Sequence, residues 1–306
     1  MDEFELIDRF FDRKKESAGV KLGIGDDGAV LEPSPGFDQV QVVDTMIAGV
    51  HFPLDTNPAD IAFRAVAVNL SDIAAMGARP RWMTLALTLN DNSEQWLRSF
   101  AAGLYEAADP HQLALVGGDT TRADNVVVTV TITGDVERDA ALLRSGARVG
   151  DTIYLTGTVG DAAAGLGLLQ DGVHDAFLVA RFLRPTARVE TGRALVAKAH
   201  AAIDLSDGLA GDLKKMLAAS GVGARVEIEK LPLSDALRER FDDDTRTRLA
   251  LTGGDDYELC FTALPDAVAD VPGITAIGTV TESVELRFYS HGDVVAVDDS
   301  GYRHFK

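Results

Sequence analysis

Cysteine is nearly absent: the 306 residues include one, Cys260. No intrachain disulfide can form, and a reducing, cytoplasmic setting is expected. Cationic side chains are also scarce, with 29 Lys and Arg against 48 Asp and Glu and a formal net charge of −19. A surface of that sign repels nucleic-acid backbones and anionic lipid, so neither is expected as a partner. There is no apolar run of the roughly 18 residues that a membrane span requires. Met1-Asp2-Glu3-Phe4-Glu5 lacks the basic and apolar regions of a secretory signal.

Several chemical signatures are missing as well. No Gly-Lys dipeptide occurs, which excludes a lysine-bearing phosphate loop, and neither the His-Arg-Asp and Asp-Phe-Gly strings of protein kinases nor a Gly-x-Ser-x-Gly elbow is present. The six histidines show no metal-ligand spacing, and zinc is not expected without cysteine partners. An EF-hand loop is absent. Gly23-Ile24-Gly25-Asp26-Asp27-Gly28 formally matches a dinucleotide fingerprint. The stretch after it is too short for a crossover helix and carries Pro33, Pro35 and Gly36, while two aspartates would repel a pyrophosphate.

What the chain does have is aspartate, in short glycine-punctuated bursts after apolar runs: Asp26-Asp27, Asp44, Asp72, Asp119, Asp204 with Asp207, and Asp255-Asp256. Any one burst is ordinary turn chemistry. Six of them suggest carboxylates gathered around a divalent cation, because hard oxygen ligands are what magnesium or calcium takes. Without a phosphate-binding lysine loop, ATP would have to be bridged through metal.

Hydrophobic content of 46% supports two domains with real cores. Phe4, Ile7, Phe10 and Phe11 fall at helical spacing; a strand is expected over 39–43, ending at Asp44, then a helix capped at Asn57-Pro58 and stopped by Gly77. Strands at 82–89, 113–116 and 126–133 surround a helix over 93–108. Periodicity lapses around 144–151, which puts a domain boundary near residue 148, giving domains 1–148 and 149–306. The second half predicts helices at 161–169, 188–199 and after Ser206, and strands near 152–156, 224–229, 257–262, 276–280 and 285–289. The fold class is α/β, mixed α+β, with mixed sheets flanked by helices. Each half carries Leu-Ser-Asp followed by Gly-Gly-Asp, which reads either as a degenerate repeat or as coincidence.

Longer strings are more specific: Gly23-Ile24-Gly25-Asp26-Asp27, Asn69-Leu70-Ser71-Asp72-Ile73-Ala74-Ala75-Met76-Gly77, Gly117-Gly118-Asp119-Thr120-Thr121, Ile203-Asp204-Leu205-Ser206-Asp207-Gly208, Asp256-Tyr257-Glu258-Leu259-Cys260-Phe261 and the closing Gly301-Tyr302-Arg303-His304-Phe305. With these, the sequence resembles the thiamine-monophosphate kinase family of the aminoimidazole ribonucleotide synthetase-like ATP-binding superfamily. The resemblance implies a two-domain homodimer whose first domain binds ATP and magnesium and dimerises, and whose second completes the nucleotide and substrate site. It implies γ-phosphoryl transfer from ATP to thiamine monophosphate, with several Mg2+ ions, and leaves a potassium requirement open.

Carried over by position, the metal ligands fall on Asp27, Asp44, Asp72, Asp119, Asp204 and Asp207. Asp44, Asp72, Asp119 and Asp207 would act in catalysis through that metal. ATP contacts fall on Tyr105, Gly118, Asp119, Arg144 and Ser206, and substrate contacts on His51, Asp255 and Tyr302. Two departures stand out. Val42-Val43-Asp44 replaces the family's Ser-Thr-Asp, leaving backbone carbonyls or water to complete that shell, and Gly253-Gly254-Asp255 replaces Gly-Gly-Glu with a shorter side chain. Other ATP-using enzymes of the superfamily, of the aminoimidazole ribonucleotide synthetase or selenophosphate synthetase type, and a non-catalytic acidic calcium-binding protein are the alternatives. Selenide chemistry would call for a reactive N-terminal cysteine, which Cys260 is not.

Overall fold

A computed structural model of the chain describes residues 3–13, 16–90 and 93–297. They divide into two compact units: residues up to Ile73 with Ala78–Asp139, and Ala74–Gly77 with Ala140 onward. Among the described residues no helix is long and apolar enough to cross a membrane.

The first unit opens with a short helix α1 (Glu3–Leu6) that runs into a π-helical turn, Ile7–Phe11. A small hairpin of β1 (Val20–Leu22) and β2 (Val30–Leu31) follows. Its sheet is built from β3 (Phe37–Ile47), β4 (Arg79–Leu89), β5 (Ala114–Arg122) and β6 (Val127–Glu137) in the order β3-β6-β4-β5, antiparallel except for the β4/β5 pair. Period-2 alternation sends Val128, Val130, Ile132, Leu85 and Leu87 into the core, while Thr45, Thr84, Ala86 and Val43 stay exposed on the other face. Helix α2 (Pro58–Ala75) lies over the core face: a Cβ on Gly134 of β6 would stand 3.2 Å from Ile73 Cδ1. Helix α3 (Glu94–Ala108) starts where Ser93 accepts from the Trp96 amide, and ends two residues before Pro110.

In the second unit β7 (Thr152–Thr156), β8 (Ala199–Asp204), β9 (Gly223–Glu227), β10 (Leu259–Ala263), β11 (Ile274–Thr281), β12 (Leu286–Ser290) and β13 (Asp293–Val295) form one sheet in the order β13-β12-β9-β11-β7-β10-β8. Only the β12/β9 pair is parallel. The helices are α4 (Asp161–Gln170), α5 (Ala176–Leu183), α6 (Val189–Leu195), α7 (Leu209–Ser220), α8 (Asp235–Arg240) and α9 (Asp243–Thr252). Leu209, Leu213, Met216 and Leu217 of α7 pack on Ile153, Leu155, Ile203, Cys260 and Ile277 of the sheet. Each such side chain contributes about 1.5–3 kcal/mol by leaving water. A second cluster, Ala164, Leu168, Leu178 and Leu237, ties α4, α5 and α8 together.

Three expectations change. β3 does not stop at Asp44 but runs to Ile47, and β5 does not stop at Val116 but runs through Gly117-Gly118-Asp119 to Arg122. Both are edge strands paired along one side, and the neighbouring ladder carries them past residues of low strand propensity. The apparent internal repeat has no structural counterpart. Ser71-Asp72 lies within α2 and Ser206-Asp207 in the loop before α7; the first Gly-Gly-Asp is in β5 and the second in the loop before β10. β8, α5, α8 and α9 form where no element was expected.

Candidate active site

Along β3 the inward register reads Val40, Val42, Asp44, Met46, so Asp44 takes a position that alternation would give to an apolar residue. Asp72 projects from α2 onto the same face, and the two carboxyl groups hydrogen-bond each other. Burial pushes the Asp44 pKa up, and the bond with Asp72 opposes that rise. Two carboxyl groups set this close repel each other when both are ionised, and a divalent cation between them would offset that repulsion. Beyond the end of β3, His51 Nδ1 accepts the Ile47 amide at 3.0 Å, so the neutral ring carries its proton on Nε2.

Asp119 sits elsewhere on the same sheet. The register aligns Asp44, Val130, Leu85 and Gly118 in one row across the four strands, and Thr45, Thr129, Ala86 and Asp119 in the next. Neighbouring rows face opposite ways, so Asp44 and Asp119 lie on opposite faces and at opposite edges, three strand spacings or about 14 Å apart. Gly118 is required at its place: with φ +159 its added Cβ would meet Leu85 O at 1.9 Å. Asp27 lies on the exposed loop after β1, where its amide donates to Asp26 Oδ1 at 2.8 Å.

Tyr105 is 7% exposed; its hydroxyl donates to Phe11 O at 2.5 Å, Arg13 stacks on the ring at 3.3 Å, and burial pushes its pKa up to about 12. It lines a cavity of about 620 Å3 with Gly23, Ile24, Arg79, Arg81 and Val116.

The second unit gathers its own set. β8 ends at the buried Asp204, and Ser206 and Asp207 follow in the loop to α7. The loop before β10 runs alongside: Asp255 N donates to Ser206 O and Tyr257 N to Leu205 O, both at 2.9 Å. Asp255 (φ 71) and Tyr257 (φ 52) are both left-handed, a conformation that costs non-glycine residues energy and clusters at functional sites. The Tyr257 hydroxyl donates to Asp255 Oδ1 at 3.1 Å. Asp207 is engaged by Lys215, whose Nζ lies 2.5 Å from its Oδ2 and 2.8 Å from Asp212 Oδ1. Arg144 is exposed on a loop fixed by Ser220, whose hydroxyl accepts from the Gly146 and Ala147 amides and donates to Arg144 O, each at 3.1 Å. Tyr302 lies outside the described residues.

Behind this loop is a charge network that the sequence did not reveal. Glu258, fully buried, accepts from Thr156 Oγ1 at 2.6 Å, from Arg188 Nε and Nη2 at 2.6 Å each, and from Arg181 Nη2 at 2.9 Å. Gly157 makes room for it, since a Cβ there would stand 2.2 Å from Glu258 Oε1. Asp256 accepts the Gly160 and Ala162 amides at the start of α4, and burial raises its pKa to about 7. Asp161 accepts from Ser234 and Thr158 hydroxyls at 2.5 Å each. Of the string Asp256-Tyr257-Glu258, therefore, both acids are structural. The spacing of Asp212 and Lys215, three apart on a helix, was the one signal available in sequence for the other missed pair.

Among the described residues no three His, Cys, Asp or Glu side chains form a ready-made metal cage. The donor set still fits magnesium, which takes one or two carboxylates and completes its shell with water and substrate phosphates. At Asp207 the Lys215 ammonium group already engages the carboxylate.

Comparison with known proteins gives the lineage. Residues 25–136 match the N-terminal domain and residues 148–291 the C-terminal domain of AIR synthase related proteins. Thiamine-monophosphate kinase of Escherichia coli strain K12 is 47% identical over 99% of this chain and 98% of its own length. This chain belongs to the thiamine-monophosphate kinase family. The crystal structure of the family's Stenotrophomonas maltophilia K279a member has TM-score 0.87 and 44% identity, covering 96% of this chain and 98% of that one. The solved structure of AaThiL complexed with AMPPCP and TMP has TM-score 0.82 and 33% identity over 99% of this chain and 97% of that one. The family's two-domain mixed fold is the fold found here.

Proposed function

We propose that this chain transfers the γ-phosphoryl group of ATP to thiamine monophosphate, giving thiamine diphosphate and ADP. The observation that carries this is end-to-end identity: 47% over 99% of the chain with a thiamine-monophosphate kinase. The AMPPCP and TMP bound to AaThiL support the same pair of substrates here.

The chemistry asks little of the protein by way of acid or base. A phosphate monoester is largely dianionic at neutral pH and attacks without a general base, so the obstacle is the mutual repulsion of two phosphate groups. Bound Mg2+ would supply charge neutralisation and alignment of the phosphate oxygens. Asp27, Asp44, Asp72, Asp119, Asp204 and Asp207 would hold it. Arg144, Ser206 and the Gly118-Asp119 backbone would hold ATP, with Tyr105 in the wall of the cavity that we assign to its nucleoside end. His51 would donate from Nε2 to the acceptor, Asp255 would accept from its amino group, and Tyr302 would cover the thiazolium cation. Transfer is direct and in line, with no phosphoenzyme.

A homodimer belongs to this proposal. Asp44 and Asp119 lie about 14 Å apart on opposite faces of one sheet, by strand spacing, so an ion contacting both needs Asp119 from a second copy. The exposed face bearing Val43, Thr45, Thr84 and Ala86 is where that copy would dock. We further assign nucleotide binding and dimerisation to residues 1–148, further nucleotide and substrate contacts to 149–306, and the protein to the cytoplasm. The buried Cys260, its thiol pushed well up by burial, does not suit a selenide-handling relative.

The test is product identification by mass spectrometry after incubation with ATP, Mg2+ and a panel of phosphorylated acceptors. Thiamine diphosphate is expected, with inversion at a chiral γ-phosphorus. Another acceptor reacting in place of thiamine monophosphate would overturn the proposal.

A further inference from the structure

Lys215 is absent from every motif in the sequence, yet it is the cation that meets the carboxylate at the tip of the second unit's loop. Its Nζ bridges Asp207 Oδ2 at 2.5 Å and Asp212 Oδ1 at 2.8 Å. Asp212 Oδ2 also accepts the Asp207 amide at 2.8 Å, so one acid anchors both the loop and the lysine. The three groups differ in exposure. The Asp212 side chain is 1% exposed, whereas those of Asp207 and Lys215 are 30% and 43% exposed. The inner bond is sheltered and the outer one open to solvent and its ions.

Such a graded bridge has a consequence for metal. A divalent ion approaching Asp207 Oδ2 would sit about 2.1 Å from that oxygen. The lysine Nζ already engages that oxygen at 2.5 Å, and two cations cannot share it without strong repulsion. Asp212 gives the ammonium a second acceptor on its own helix, so Lys215 can surrender Asp207 and remain neutralised. We propose that Lys215 is a built-in competitor for the metal position at Asp207: it holds the carboxylate in the metal-free protein, gives it up when a divalent ion arrives, and thereby sets the affinity of that position. It is a positioning residue, acting through Asp207 rather than on the substrates. The proposal rests on Asp207 being a metal ligand, as inferred above.

Half-exposed ion pairs are worth up to about 1 kcal/mol, so loss of the competitor should tighten metal binding about five-fold. The experiment is a Mn2+ titration of the full chain followed by electron paramagnetic resonance, for wild type, Lys215→Met, Asp207→Asn and the double variant. The expected result is that Asp207→Asn weakens binding, Lys215→Met tightens it about five-fold, and Lys215→Met has no effect once Asp207 is Asn. Lys215→Met leaves the buried Asp212 without its ammonium partner, so Lys215→Met/Asp212→Asn, which removes both charges, serves as the folded control and should show the same tightening. If Asp207→Asn weakens binding but neither lysine variant tightens it, the competitor role is wrong while the metal assignment stands. If Asp207→Asn leaves Mn2+ binding unchanged, the metal assignment at Asp207 fails and the competitor role fails with it.

Discussion

Asp44 with Asp72 in the first unit, half-buried, and the Asp161, Asp256 and Glu258 group in the second, fully buried, are both acidic clusters drawn away from bulk water, and they solve the same problem in opposite ways. The second group is answered by the protein. Glu258 takes two arginines and a threonine, Asp256 two helix amides, and Asp161 two hydroxyls. The first pair is made of two acids set against each other, with burial pushing the Asp44 pKa up. Carboxylates satisfied by donors from the fold are structural, and carboxylates set against each other are poised for a cation from outside.

This contrast predicts opposite outcomes for similar substitutions. The largest effect is expected at the facing pair: Asp44→Asn should lower turnover on the order of 10³-fold by steady-state assay. Its unfolding free energy in urea should hold or rise, because a half-buried charge beside another carboxylate is removed. A loss of stability instead would move Asp44 into the structural class. Next, Glu258→Ala should destabilise the protein by about 3–5 kcal/mol, since two guanidinium groups lose a buried partner. A loss under about 1 kcal/mol would break the comparison from the other side.

Asp256 gives a pH-dependent version. Its folded pKa of about 7 lies above the ordinary 3.8, so between those values the native state holds a proton that the unfolded chain has released. Stability due to this group is therefore full below the lower value and falls as pH rises through the window, by up to about 1.4 kcal/mol per unit. Asp256→Asn should flatten that slope in urea titrations run from pH 4 to 8; an unchanged slope would place the titration elsewhere. The smallest effect is expected at Tyr105→Phe, which removes one buried hydrogen bond to Phe11 and should cost about 1 kcal/mol in thermal or urea unfolding. A far larger loss would mean that Tyr105 organises more than this contact.

Much of this was legible in the chain. Alternation in β4 and β6, the capped start of α2 and the Gly77 stop all come from local pattern. The aspartates on β3 and β5 were read as turn residues because Asp and Gly interrupt an apolar run. Only the partner strand shows that Asp44 keeps the inward register and Asp119 the outward one. The Glu258 network joins residues 70 to 102 positions apart, beyond the reach of any periodicity argument. The long shared strings point to a family, yet within Asp256-Tyr257-Glu258 they do not separate structural acids from ligands. Burial and hydrogen bonding mark Asp256 and Glu258 as structural.

The division of acids into ligands and structural groups can be tested in one titration. Mn2+ binding in the presence of AMPPCP, followed by electron paramagnetic resonance, should lose bound metal in Asp44→Asn and keep the wild-type amount in Asp256→Asn. Full Mn2+ occupancy in Asp44→Asn, or metal lost from Asp256→Asn while that variant remains folded, would contradict it.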